Sequence, residues 1–124
     1  KEENSSRRFK ENIQPCQSVL AHRALELQPV SFSYKEIPEQ KEYGLIAEDV
    51  PIPEFVIYEP DGTTPKGVMY HKLAIPVLAL AQEHHKHLTQ QHAIIRKQQA
   101  EIDALREKIH HLEHCVQELY EHIR

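Results

Sequence analysis

What this chain lacks excludes several functions at once. It has only two cysteines, Cys16 and Cys115, far apart in the sequence. Two such residues make neither a disulfide framework nor a zinc motif, and they read as free thiols in a reducing compartment. No glycine-rich loop is present to cradle a phosphate. No apolar stretch is long enough to span a bilayer, and the charged start is unlike a signal peptide. Basic excess is also missing: 19 acidic residues stand against 15 Lys and Arg, for a net charge of -4. Phosphate binding needs a basic surface. The one basic cluster, Arg7, Arg8 and Lys10, is diluted by Glu2, Glu3 and Glu11. No His/Asp set for a conventional triad appears, and no paired carboxylates in an apolar setting. The expectations are no cofactor, no metal, no nucleic acid and no membrane.

What is present divides into two parts. Residues 1–74 read as a small globular head of about 70 residues, a size at which one core is marginal. Residues 75–124 read as a helical tail that must add stability by joining chains. The chain opens on Lys1 rather than methionine, as a fragment of a longer polypeptide would. Lys1 to Asn12 is polar and reads as an exposed lead-in. Pro15 fits the first turn of a short helix carrying Val19, Leu20, Ala24 and Leu27, which Pro29 ends. Val30 to Lys35 alternates as a strand, with Val30, Phe32 and Tyr34 on the buried face. In the apolar run Tyr43 to Ala47, Gly44 hints at a bulge or a close backbone approach. Pro51 and Pro53 enforce an extended turn. Phe55–Tyr58 and Val68–Tyr70 read as a hairpin around Glu59-Pro60-Asp61-Gly62, which suits a type I turn. A long helix starts between Lys72 and Pro76 and runs to the end, roughly 75 Å at 1.5 Å per residue. The fold class is α+β: a mixed head of short helix, strand and β-hairpin, then a long coiled-coil helix.

The tail keeps heptad phase for six repeats. With Ala81 at a, the a series continues through Leu88, Ile95, Ile102, Ile109, Val116 and Ile123. The d series is His84, Gln91, Gln98, Leu105, Leu112 and Leu119. Glu101 at g can meet Arg106 at e, and Lys108 can meet Glu113, which supports parallel association. Ile at a with Leu at d favours two strands. Gln91 and Gln98, as polar d layers, suit a ring of three. Periodicity leaves dimer and trimer open.

Eight histidines lie in this helix. His110 and His114 have chelating i, i+4 spacing. They map to the outward face without a completing ligand and read as surface residues, whereas His84 falls on a d layer.

The lead-in contains a serine and a lysine. A serine hydroxyl needs a base, and a lysine serves only when neutral, a state that burial or nearby positive charge such as Arg7 and Arg8 favours. Five residues apart, Ser5 and Lys10 lie about 140° apart on a helix and on opposite faces of a strand. They meet only through an irregular turn, or across subunits. Ser6 and Lys10, at i, i+4, would meet on a plain helix. By composition alone, a serine here reads as a cap or an unstructured residue.

Four segments in order resemble one family. Ser5, Arg8, Lys10, Glu11, Asn12 and Ile13 match its opening. Val30-Ser31-Phe32-Ser33-Tyr34 is similar to its V-x-F-x-Y strand, and Gly44 to Pro51 to its GLIAQEVP segment. Val68, Tyr70 and Leu73 resemble its V-x-Y-x-x-L entry to a terminal helix. The family comprises the C-terminal intramolecular chaperone domains of phage endosialidases, tail fibres and neck appendages, found also in myelin regulatory factor. The chain departs from it at Ser6, where aspartate is frequent, at Phe9, where leucine stands, and at Tyr43, where some members have histidine.

The resemblance implies a homotrimer whose partners are its own copies and the upstream segment of the same polypeptide. The trimer core would be Leu88, Gln91, Ile95, Gln98, Ile102, Leu105, Ile109, Leu112, Val116, Leu119 and Ile123. It implies that the domain helps an upstream fibre, spike or transcription-factor segment to fold. It then cuts itself off as a single-turnover serine protease at Asn4–Ser5, with Ser5 as nucleophile and Lys10 as general base. For a phage or viral parent, the place is the host cytoplasm during virion assembly. Two alternatives remain: a permanent, non-cleaving trimerisation domain, and a histidine-rich metal-binding or pH-sensing coil.

Overall fold

The computed structural model describes residues 3–123; Lys1, Glu2 and Arg124, parts of the expected lead-in and tail, lie outside the described residues. The chain forms two compact units, one up to His84 and one from His85 onward.

In the first unit a 3-10 turn at Arg7–Phe9 leads to helix α1, Gln17–Leu25. Cys16 is its N-cap, so Pro15 stands outside the helix and not in its first turn. Ala21 and Ala24, three apart on one face, are buried. Val19 is mostly exposed, contrary to the expected apolar face.

Strand β1, Val30–Phe32, pairs antiparallel with β2, Glu42–Gly44, with Val30 opposite Gly44 and Phe32 opposite Glu42. The run Tyr43–Ala47 thus supplies a strand that alternation did not reveal. The first strand is shorter than expected: Ile37 N–H bonds to the Tyr34 carbonyl and turns the chain. Tyr34 is exposed and meets Phe32 edge-on at 5.1 Å.

Strands β3, Val56–Tyr58, and β4, Pro65–Val68, form the second hairpin, with a bulge between Ile57 and Tyr58. Its first strand begins one residue later than expected. The second lies earlier in the chain than the expected Val68–Tyr70, since Tyr70 belongs to a 3-10 turn, Tyr70–Lys72. Residues 53–55 also form a 3-10 turn rather than the expected extended segment. Val50, Ile52 and Val56 make the core of the unit, with Leu20, Leu27, Leu45, Ala47, Phe55 and Val68 against them.

The turn of the second hairpin closes through a hydrogen bond from Gly62 N–H to the Glu59 carbonyl at 2.8 Å. Gly62 has φ 76°, which glycine adopts without steric cost. Asp61 accepts hydrogen bonds from the Thr64 hydroxyl and from the N–H groups of Thr63 and Thr64, both at 2.9 Å. The Thr64 hydroxyl first, and then these N–H groups, hold the Asp61 carboxyl at about 2, below its ordinary 3.8. A depressed carboxyl stabilises the fold fully above its ordinary value and loses that contribution as pH falls through the folded value. Asp61→Ala is therefore expected to speed amide exchange in this hairpin at pH 7. The difference from the parent should shrink between pH 4 and 2. A pH-independent difference would assign the effect to turn sterics.

Helix α2 spans Ala74–Ile123. Pro76, in its first turn, is fully buried, and Ala79 is buried as well. Gln17 and Ser18 at the start of α1 donate to the Glu83 carboxylate at 3.5 and 3.3 Å. In the second unit every described residue is exposed, the a and d positions included. No helix among the described residues is long and apolar enough to cross a membrane.

Candidate functional site

The polar opening of the chain is built around one 3-10 turn. Ser6 is extended and precedes it; its carbonyl accepts the Phe9 N–H, and the Arg7 carbonyl accepts the Lys10 N–H, each at 3.0 Å. A 3-10 turn winds more tightly than an α-helix, and Lys10 returns to extended backbone immediately after it. Neither regular helix nor strand could bring residues five apart together; this short turn does. Lys10 Nζ lies 2.8 Å from Ser5 Oγ, within one chain. Of the two serines it is Ser5 that meets the lysine, and Ser6 makes no side-chain cap bond.

The surroundings are open. Asn4, Ser5 and Lys10 are exposed, and the Arg8 guanidinium lies 4.5 Å over the Phe9 ring. The ring face attracts this cation, which ties the two side chains of the turn together.

Two residues later Asn12 has φ 54°, the one non-glycine positive φ among the described residues. Asparagine tolerates this conformation, which costs most residues about 1–2 kcal/mol. Asn12 thus redirects the chain after the turn, a role that sequence reading did not assign. The signal was available, as an asparagine beside no regular element. Asn12→Val is expected to lower the opening free energy at the Phe9 and Lys10 amides by about 1–2 kcal/mol, measured by hydrogen exchange. Asn12→Gly should leave it nearly unchanged. Equal effects of the two would show that the asparagine side chain matters rather than its backbone.

A second missed group is Tyr70. Its hydroxyl accepts the Leu45 N–H at 2.9 Å and donates to the Leu45 carbonyl at 3.3 Å. A Cβ on Gly44 would stand 2.7 Å from that hydroxyl and 3.2 Å from the Phe32 ring. What approaches Gly44 closely is therefore a side chain and not the expected backbone. It joins the Gly44–Leu45 segment to the turn before α2.

In the second unit, the expected core positions Leu88, Ile95, Ile102, Leu105, Ile109, Leu112, Val116, Leu119 and Ile123 are exposed large apolar side chains; Gln91 and Gln98 are exposed as well. His110 and His114 are not joined to each other. His114 pairs with Glu118 at 3.1 Å, and His111 Nε2 lies 3.6 Å from Cys115 Sγ. Among the described residues no three His, Cys, Asp or Glu side chains gather where they could hold a metal ion. Cys16 and Cys115 are free and exposed thiols.

Residues 5–56 match the family described as the chaperone of endosialidase, which is also classed by name as a peptidase. The matched span begins at Ser5 and takes in Lys10, Asn12, the first hairpin and the Gly44–Pro51 segment. The family likeness carried by those motifs is shown over this span. Tyr70, Leu73 and most of α2 lie beyond it. No curated protein matches the chain at a significant level.

Proposed function

We propose, from the chaperone-of-endosialidase match over residues 5–56, that the chain is a trimeric intramolecular chaperone that releases itself at Asn4–Ser5. It sets three copies of an upstream fibre or spike segment in register, and then cuts them free. The observation that supports this reading most is the 2.8 Å approach of Lys10 Nζ to Ser5 Oγ at the first residue of the matched span.

The chemistry balances within one chain. A neutral Lys10 amine takes the Ser5 Oγ proton as the oxygen attacks the Asn4 carbonyl carbon through a five-membered ring. The new C–O bond forms and the Asn4–Ser5 C–N bond breaks. The Ser5 nitrogen leaves with the proton returned by Lys10. Water then hydrolyses the ester, leaving an Asn4 carboxylate and restoring the Ser5 hydroxyl. A neutral amine is favoured in a site that excludes water. Both groups are exposed in the single chain, so the reading requires the assembled trimer and its upstream segment to cover them.

Assembly follows from the exposed a and d side chains of α2. Three chains joined there raise the local concentration of three upstream strands. Once the chaperone leaves, the nucleating element is gone and the fibre is kinetically trapped.

The test is the intact mass of a longer polypeptide that includes the upstream segment, beside its Ser5→Ala twin. Mass lost at Asn4–Ser5 in the parent alone supports self-release. Two uncut chains that both form trimers support a permanent trimerisation domain, the reading that the exposure of Ser5 and Lys10 favours.

A further inference from the structure

We propose that His71 is a positioning residue that holds the upstream side of the Asn4–Ser5 bond through an acidic side chain at position 3. The inference rests on the self-release reading and adds to it the recognition of the departing segment. Glu3 stands two residues before Ser5, on the side that cleavage would send away. Its Oε1 lies 4.0 Å from His71 Nε2, across 68 positions of sequence (71 − 3). That separation suits a charge pair or a single bridging water.

His71 sits on a braced platform. Its 3-10 turn, Tyr70–Lys72, is closed by the Lys72 N–H on the Met69 carbonyl at 2.9 Å, and Met69 N–H bonds to the Phe55 carbonyl at 2.8 Å. The neighbouring Tyr70 hydroxyl makes its two bonds to Leu45, in the space that Gly44 leaves open. The platform is therefore tied to the Gly44–Leu45 segment and to the residue before β3. The opening segment is held at two points: Glu3 by His71 before the bond, and Ser5 by Lys10 after it. Two anchors two residues apart, one on each side of Asn4, limit the orientations of its carbonyl, which is how positioning lowers a barrier. The recognised chemistry is a carboxylate two residues ahead of the nucleophile.

The experiment is a charge swap in the longer polypeptide, read as the rate of cleavage. His71→Ala is expected to slow cleavage about two- to fivefold, the range of an exposed charge pair. His71→Glu, which repels Glu3, should slow it further. The double change His71→Glu with Glu3→Lys should return the rate to within about twofold of the parent, because it replaces the repulsion with an attraction between exposed opposite charges. A purely structural role of His71 would leave the double variant as slow as His71→Glu, and that result overturns the proposal. Cleavage of His71→Glu at the parent's rate overturns it too.

Amide exchange at Ser5 and Arg7 in the 124-residue chain reads the same docking with the bond intact. It should rise with His71→Glu and fall back in the double variant. An uncut parent with this exchange pattern would sink self-release while supporting docking. Unchanged exchange in an uncut parent would sink both.

Discussion

Replacing Lys10 with arginine is expected to stop release of the upstream segment almost as completely as Ser5→Ala. Arginine keeps the positive charge and a comparable reach toward Ser5 Oγ. It does not give up its proton in a protein, so it cannot act as a base. If Lys10 only steadied the serine, Lys10→Arg would cleave near the parent's rate. As the base, its loss should slow cleavage by about 10²–10⁴-fold, the usual share of general acid–base catalysis. Ser5→Ala removes the nucleophile and should leave no cleavage at all. Ser6→Ala should stay within a few-fold of the parent, because Ser5 is the serine within 2.8 Å of the lysine. Time courses of intact mass distinguish the three. Rapid cleavage in Ser5→Ala with none in Ser6→Ala would move the nucleophile by one residue and undo the assignment.

The second large effect is expected in α2. Ile102 and Leu105, an a and a d residue, are 42% and 56% exposed in the single chain. In a trimer they would be covered. Full burial of such a side chain contributes roughly 1.5–3 kcal/mol, and about half remains to be gained here, so six side chains contribute about 5–9 kcal/mol. Lysine at both positions would remove this and place six charges in the seam. Ile102→Lys with Leu105→Lys is therefore expected to give monomers by sedimentation at micromolar concentration. A long isolated helix without tertiary partners is weakly stable, so helicity should fall with it. Cleavage should stop in the same variant, since nothing would then cover Ser5 and Lys10. Cleavage that continues in a proven monomer would separate the chemistry from assembly. A trimer that survives the double change would place the association surface elsewhere.

Several features were legible because they depend on neighbours in the sequence. The helix of the tail, its start near Pro76 and the turn Glu59–Gly62 are local patterns, and each formed where the pattern stood. Others were hidden because distant residues decide them. Glu42–Gly44 carries no alternation of its own and becomes a strand through pairing with Val30–Phe32. Tyr70 reads as the last residue of the second hairpin strand, Val68–Tyr70. It is drawn instead into a 3-10 turn, where its hydroxyl finds the backbone of Leu45, 25 positions earlier.

The candidate site divides in the same way. Residue types and family motifs singled out Ser5 and Lys10, yet on a plain helix it is Ser6, at i, i+4, that would meet the lysine. A single 3-10 turn chose between them, because it fixes backbone angles that composition does not encode. The parts played by Asn12, Tyr70 and His71 came only with the fold, although Asn12 and Tyr70 already stood in the family motifs: one through a left-handed φ, one through a long-range hydrogen bond, one through an imidazole facing Glu3. By itself the sequence determined the apolar heptad pattern of α2 and the likeness to the chaperone-of-endosialidase family over residues 5–56, since periodicity and motif are properties of the chain in one dimension. The local 3-10 turn decided which serine the lysine reaches; tertiary structure decided what braces the residues around it, because the Tyr70–Leu45 and His71–Glu3 contacts join segments that no local pattern connects.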